Sequence, residues 1–319
     1  MLDSVLRLGN TAVEGRLWLA PMAGVTDLPF RVVTAQLGCP FSVTEMVSAK
    51  GIYYGGKSIE LLQHTPEQGK GLVQIFGREP ELMADMAKKL YEEGYAREGI
   101  DVNMGCPAPK IVKNGEGSAL LQEPELCAKI IGAMSKAIPL PVTVKIRKGF
   151  FEGEDVTETL CPMLEDAGAA AIAIHGRTRV QMYSGKADWE CIARVRKLVK
   201  IPLIGNGDVD SRETAQKRME ETGCDGVLIG RGAFGNPFVF SKERLTDEEK
   251  LKVIERHLEL SIQYRGEKAA IPLMRKHMCA YLKGYRGAAK AKTEILSACT
   301  REAILAPVRR VLLGTIDKE

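Results

Sequence analysis

Residues 202–232 read PLIGNGDVDSRETAQKRMEETGCDGVLIGRG, and this one segment holds a complete unit of the fold. Two short apolar runs, 202–205 and 226–229, each lead into a polar turn rich in glycine, and residues 211–222 between them have the length and composition of a helix. Two parallel strands can be joined only by a crossover long enough to return to the same end, and a helix is the usual one. The same unit recurs toward the N-terminus. Apolar runs stand at 17–20, 41–44, 72–75, 100–103, 142–146 and 170–174, with helical patterns at 80–93, 123–137 and 156–167 between them. Eight such runs predict an α/β fold that closes as a (β/α)8 TIM barrel, with a doubly wound open sheet as the alternative.

The chain has 319 residues, more than the roughly 250 of a typical barrel. A polar stretch follows residue 237, and from Leu251 onward Leu251, Ile254, Leu258 and Ile262 recur at helical spacing. The expected organisation is a catalytic barrel over 1–240 and a C-terminal all-helical domain over 241–319. Apolar residues make 45% and charged residues 27% of the chain, which argues for a folded globular protein and against disorder. The first 16 residues carry no long apolar stretch, and no apolar run of about 18 residues occurs anywhere, so no signal peptide and no membrane partner are expected and the expected location is cytoplasmic. Eight cysteines without a CxxC pair read as reduced thiols and not as a zinc site, so no metal is expected. The net charge of +4 is mild, but residues 265–292 hold eight Lys or Arg against the single acid Glu267. A basic helix of this kind is by itself most simply a solvated face.

In a parallel barrel the chemistry sits just past the carboxyl ends of the strands, where the loops share one rim. Pro21 and Met22 follow the first run, Glu45 and Met46 the second, and Gln74 lies near the end of the third. Asn103 and Cys106 close the fourth, Lys145 lies near the end of the fifth, and His175 follows the sixth. Asn206, Gly207 and Asp208 follow the seventh, and Gly230 with Arg231 the eighth. The last two loops could be no more than tight turns. With an arginine after Gly230 they read better as a phosphate cradle made of backbone N–H groups. Lys145 stands where a strand should be apolar, and a lysine facing a barrel mouth needs an anionic partner. A flavin ring that gains negative charge on reduction would supply one; a Schiff-base lysine of the aldolase kind and a merely structural lysine remain open. Cys106, between Gly105 and Pro107, does not fit the ordinary buried cysteine of a strand or helix. A thiol with an unperturbed pKa of about 8.5 is protonated at neutral pH and can act as an acid, whereas a nucleophilic role would need a nearby base such as His175. Arg177 and Arg179, two and four residues after His175, could grip phosphates or stack on a base.

At these residues the chain resembles the tRNA-dihydrouridine synthase family, FMN-dependent enzymes that reduce uridine in tRNA, and most of all its bacterial B-type branch. The matching segments are 20–27, 74–77, 101–110, 117–121, 145–149, 175–179, 206–208 and 229–231, which span the barrel in order. The run from Asn103 to Cys106 followed by Lys110 is the most specific of them. The resemblance implies that Pro21, Met22, Ala23 and Gln74 hold the isoalloxazine ring of FMN and that Lys145 contacts its pyrimidine edge. His175, Asn206, Gly207, Asp208, Gly230 and Arg231 would hold the ribityl phosphate. NADPH would be the reductant, the hydride would go to uracil C6, Cys106 would protonate C5, and Asn103 would help hold the uracil. Lys110, Arg177 and Arg179 would meet the tRNA, and the basic tract with Arg275, Lys276, His277 and Lys283 would make the helical domain its docking surface. A flavin enzyme acting on a free pyrimidine and a non-catalytic RNA-binding barrel are the rival readings. The segment 94–99 is about two residues longer than the family pattern and should lie at the end of the barrel away from the site.

Overall fold

The computed structural model describes residues 2–314; the last residues of the helical domain expected over 241–319, namely 315–319, lie outside them. The chain opens with an antiparallel hairpin, β1 (Val5–Leu8) and β2 (Thr11–Glu14). Eight parallel strands follow: β3 (Leu17–Leu19), β4 (Phe41–Ser48), β5 (Lys70–Phe76), β6 (Ile100–Met104), β7 (Val142–Gly149), β8 (Ala171–Thr178), β9 (Leu203–Asn206) and β10 (Gly226–Ile229). Each pairs with the next, and β10 pairs back onto β3, so the sheet is a closed barrel, as the spacing of the runs predicts. The crossovers carry α1 (Leu28–Gln36), α2 (Ala49–Tyr53), α3 (Pro80–Glu92), α4 (Pro109–Lys113), α5 (Pro124–Ala137), α6 (Thr157–Asp166), α7 (Trp189–Arg196) and α8 (Arg212–Thr222). A helical part follows, with α9 (Asp247–Arg265), α10 (Glu267–Tyr281), α11 (Ala288–Ser297) and α12 (Arg301–Leu312). No helix among the described residues is long and apolar enough to cross a membrane.

The eight runs mark the right strands, and six of them stop short of the strand's carboxyl end. β4 continues through Glu45 to Ser48, and β8 through His175 and Arg177 to Thr178, because the upper interior is polar and accepts side chains that a fully apolar core would not. The hairpin was not anticipated; its strands are only four residues long, and its purpose is tertiary. Leu6, Leu8 and Val13 pack with Trp18, Phe41, Val43, Leu72, Ala171, Ala173, Ile204 and Leu228 to plug the lower barrel. The outward residues of the strands form a second, larger core against the surrounding helices. The longer segment 94–99 lies at this lower end, where Thr11 Oγ1 donates to Glu98 O at 2.9 Å.

The polar stretch after residue 237 turns helical at Asp247, ahead of the apolar spacing that begins at Leu251. Thr246 caps α9 by accepting from Glu249 N, and the Glu249 side chain returns to Thr246 N, a capping box that fixes the start. The helical part has its own core of Leu258, Met274, Met278, Ile295, Ile304, Leu305 and Val308. Leu260 of α9 packs instead on Leu28, Val32 and Val33 of α1, which seats the helices beside the first barrel strand. Arg265 pairs with Asp27 at 3.1 Å in the same junction.

Candidate active site

Strand register decides which side chains meet. Gln74, Asp101 and Thr143 lie on one rung across β5, β6 and β7; Asn103 and Lys145 lie on the rung above; Arg147, His175 and Asn206 share a higher one across β7, β8 and β9. Alternation then turns all of them toward the barrel axis. Gln74, Asn103, Lys145, Arg147, His175 and Asn206 line a cleft of about 840 Å3 at the carboxyl ends of the strands, with Asp101 and Thr143 beneath it, a size suited to a cofactor or small substrate.

The lower rung is one hydrogen-bonded relay. Thr143 Oγ1 donates to Asp101 at 2.5 Å, and Gln74 Nε2 donates to the other carboxylate oxygen at 2.6 Å. Gln74 Oε1 accepts from Asn103 Nδ2 at 3.0 Å, and Asn103 Oδ1 accepts from Cys106 N at 2.9 Å and Gly105 N at 3.2 Å. A carboxylate only accepts and a backbone amide only donates, so both ends dictate the same orientation for the two amides between them. Burial pushes the Asp101 carboxyl up from its ordinary range, against the donors Thr143 and Gln74 and the cation Lys145. Among the described residues Lys145 Nζ has no hydrogen-bond acceptor. Burial, with help from Arg147, pulls its ammonium down to about 8. Burial also raises the Cys106 thiol above its ordinary value, although the cations Arg147 and Lys145 oppose this. Cys106 is therefore a protonated thiol at neutral pH.

The other wall is built by the turns after β9 and β10. Asp208 sits at φ +52°. Burial alone would raise its carboxyl, but the Ala187 amide and the guanidinium groups of Arg177 and Arg231 hold it below the usual range. It accepts from Arg177 at 2.7 Å, Ala187 N at 2.7 Å and Arg231 at 3.2 Å. Arg231 is thereby turned over the Tyr183 ring, 4.5 Å from its centroid. The backbone N–H groups of Gly207, Asp208, Arg231 and Gly232 find no acceptor among the described residues. His175, beside this wall, is kept neutral by burial and by Lys145, Arg147, Arg177 and Arg231 around it.

This donor set fits FMN. Unpartnered amides and Arg231 suit a phosphate, Lys145 suits an electron-rich ring edge, and Ala20, Met22 and Leu228 offer an apolar flank.

Of the residues singled out on sequence, Pro21, Met22, Ala23, Gln74, Asn103, Cys106, Lys145, His175, Asn206, Gly207, Asp208, Gly230, Arg231 and Lys283 all line the cleft. Others do not. Arg177 is buried beneath the cleft, and besides Asp208 it donates to Ser184 O and Gly185 O, so it braces the wall and is not free for a nucleic acid. Arg275 spends its guanidinium on Ala298 O, at 2.7 and 3.1 Å, holding α10 to the end of α11. His277 is buried and not on a docking face. Lys276 donates to Gly24 O and so ties α10 to the loop after β3. Arg179 lies over the Phe150 ring at 5.2 Å, and Lys110 is exposed on α4 just outside the cleft. The Asp208 carboxylate is committed to its three donors and orients Arg231, which leaves only the residue's backbone N–H to face a phosphate.

The sequence reading missed Arg147, Tyr183 and Phe234, which also line the cleft. Arg147 carried a signal, since it lies two residues past Lys145 and strand alternation turns both inward; Tyr183 lies in an irregular loop and carried none. Asp155, Asp188 and Cys191 come close enough together to suggest a metal group, but Lys148 pairs with Asp188 and Arg194 with Asp155, each at 2.7 Å, so the cluster is already neutralised by cations.

Comparison with known proteins agrees with this geometry. Residues 18–311 match the family model described as dihydrouridine synthase. A tRNA-dihydrouridine synthase B of Pseudomonas aeruginosa is 38% identical over 320 residues, covering 96% of each chain. A probable tRNA-dihydrouridine synthase of Rickettsia conorii is 36% identical over 90% of each chain. Among solved structures, the old yellow enzyme homologue of Zymomonas mobilis aligns with a TM-score of 0.52 at 16% identity, over 74% of this chain and 90% of that one, a likeness of fold.

Proposed function

The chain belongs to the dihydrouridine synthase family, on its bacterial B-type branch, and from that premise we propose that it reduces the C5–C6 double bond of specific uridines in tRNA to 5,6-dihydrouridine, using FMN and NADPH. The observation that carries the reading is that a protonated thiol, Cys106, and an acceptor-free ammonium, Lys145, enter one cleft whose far wall presents unpartnered amides.

Reducing a carbon–carbon double bond takes a hydride and a proton. FMN, when bound and reduced by NADPH, supplies the hydride, which adds to uracil C6. The proton reaches C5 from Cys106 Sγ. The thiolate left behind faces the cations Lys145 and Arg147 and recovers its proton from solvent. Asn103, fixed by the relay, keeps its second Nδ2 hydrogen for the substrate. Lys145 would hold the pyrimidine edge of the flavin, and Gly207, Gly230 and Arg231 would hold its phosphate. Lys283 lines the cleft, and Lys276, Arg286 and Lys290 of the helical part are exposed; we assign this part as the tRNA-docking module. Phosphate contacts there would position the tRNA while the cleft selects the base.

The test is direct. The purified protein should bind FMN, NADPH should bleach the flavin, and tRNA lacking dihydrouridine should restore the colour while free uracil does not. A protein that takes up no FMN, or whose reduced flavin ignores such tRNA, overturns the reading.

A further inference from the structure

We propose that Arg147 and Ser118 are positioning residues for Cys106, fixing the direction in which its thiol enters the cleft. The proposal rests on the reading of Cys106 as proton donor. Residues 105–107 leave the sheet at the end of β6, so their peptide groups must find partners elsewhere. Arg147 Nε donates to Gly105 O at 2.9 Å, on one side of the Gly105–Cys106 peptide. Asn103 Oδ1 accepts from the N–H on its other side. Beyond the residue, Cys106 O accepts from Ser118 N at 3.1 Å and from Ser118 Oγ at 2.9 Å. The backbone of Cys106 is thus held by β7, β6 and the 3-10 helix Gly117–Gln122, and Sγ keeps only its χ1 rotamer to choose.

Each anchor is itself immobile. Arg147 is buried, and its Nη1 donates to Thr178 O at 2.9 Å and Met182 O at 2.8 Å, so its Nε cannot swing away from Gly105. A lysine there would lack the fork that serves three carbonyls at once. Ser118 is fully buried and does not line the cleft. Its approach to Cys106 requires the glycine before it: Gly117 has φ +60°, and a Cβ there would stand 2.9 Å from Cys106 O and from Ile111 Cγ2. The segment 117–121, which matches the family on sequence without an evident role, thereby acquires one.

Two measurements on Ser118→Ala and Arg147→Lys test this. Iodoacetamide modification of Cys106, followed by peptide mass and divided by that of the exposed Cys299 in the same molecule, should rise by about threefold or more in both variants, because a loosened loop exposes the thiol. In Ser118→Ala, uridine reduction by the flavin-reduced enzyme at saturating tRNA should slow about 10- to 100-fold, with flavin reduction by NADPH and the KM for tRNA within about twofold of wild type. An unchanged Cys106 to Cys299 ratio overturns the proposal, as does an equal loss in both half-reactions. The alkylation ratio needs no turnover, so if the wild-type protein reduces no uridine the assigned function fails while the positioning claim is still decided.

Discussion

Cys106 and Lys145 are pushed in opposite directions by the same burial, and each shift has a measurable consequence. The thiol is raised and stays protonated through neutral pH, the state a proton donor needs. Cys106→Ala should therefore leave flavin reduction intact and slow uridine reduction by about 10^2- to 10^4-fold, read in separate stopped-flow half-reactions; equal turnover of tRNA by the variant would remove the residue from the mechanism. Lys145 titrates at about 8 in the free protein. A lysine that donates to a bound flavin is held protonated there, so its proton affinity is higher in the complex. FMN affinity for the apoprotein should then be flat below pH 8 and fall above it, by at most about tenfold per pH unit. Fluorescence titrations at pH 7, 8 and 9 check this, and Lys145→Met should bind more weakly at pH 7 and lose the slope. A wild-type slope that persists in Lys145→Met would assign it to another group.

Between the turns after β9 and β10 the contact is backbone against backbone. A Cβ on Gly232 would lie 2.3 Å from Val209 O and 2.8 Å from Asp210 Cα, whereas one on Gly230 would meet nothing nearer than Met22 Sδ at 3.6 Å. Gly232→Ala should cost about 1–3 kcal/mol and lower the melting temperature by about 2–4 °C per kcal/mol, with a loss of FMN affinity; Gly230→Ala should melt like wild type. Equal melting of all three proteins would mean that the turns are not pressed together. The contrast also shows what the sequence could convey. Both glycines read alike as phosphate-loop residues, since the atoms that distinguish them come from another turn. The eight strands were legible because burial on both faces writes a continuous apolar run, yet their polar ends were not, because His175 and Arg177 belong to an interior that has become a site. Cys106 stands out in sequence by its Gly-Cys-Pro setting, and the fold brings it into the cleft. Arg177 and Arg275 were misread as nucleic-acid contacts because a guanidinium that binds backbone carbonyls of its own chain looks, in sequence, the same as one awaiting a phosphate.

Across the whole molecule the histidines share one condition. Burial pulls His64 and His257 down to about 3 and His277 well below its ordinary range, and His175 is likewise held neutral; these are all four histidines of the chain. His257 of α9 and His277 of α10 meet at the junction of barrel and helices, their rings 4.8 Å apart and each 5.4 Å from Phe30 of α1. Phe234 closes the cluster, Tyr281 hydroxyl contacts His257 Nδ1 at 2.9 Å, and Asp27 and Lys276 are the nearest charges to His277. Among the described residues His257 Nε2 and His277 Nδ1 have no hydrogen-bond partner. The unfolded chain takes up protons on these rings below about pH 6.5 while the folded one refuses them, so stability is fully present above pH 6.5 and is lost as pH falls below it. Each ring should contribute a loss of about 2 kcal/mol by pH 5, so the junction pair alone removes about 4 kcal/mol, a large part of an ordinary domain's stability. Glu45 and Asp101, whose carboxyls burial raises, act in the opposite sense and soften the slope without reversing it. Urea unfolding at pH 7 and pH 5 should show this fall, and the double variant His257→Gln, His277→Gln should lose about half of it. If the wild-type midpoints at the two pH values coincide, the rings are not buried neutral in solution, and the seating of the helical part on the barrel would have to be looser than the packing around Phe30 indicates.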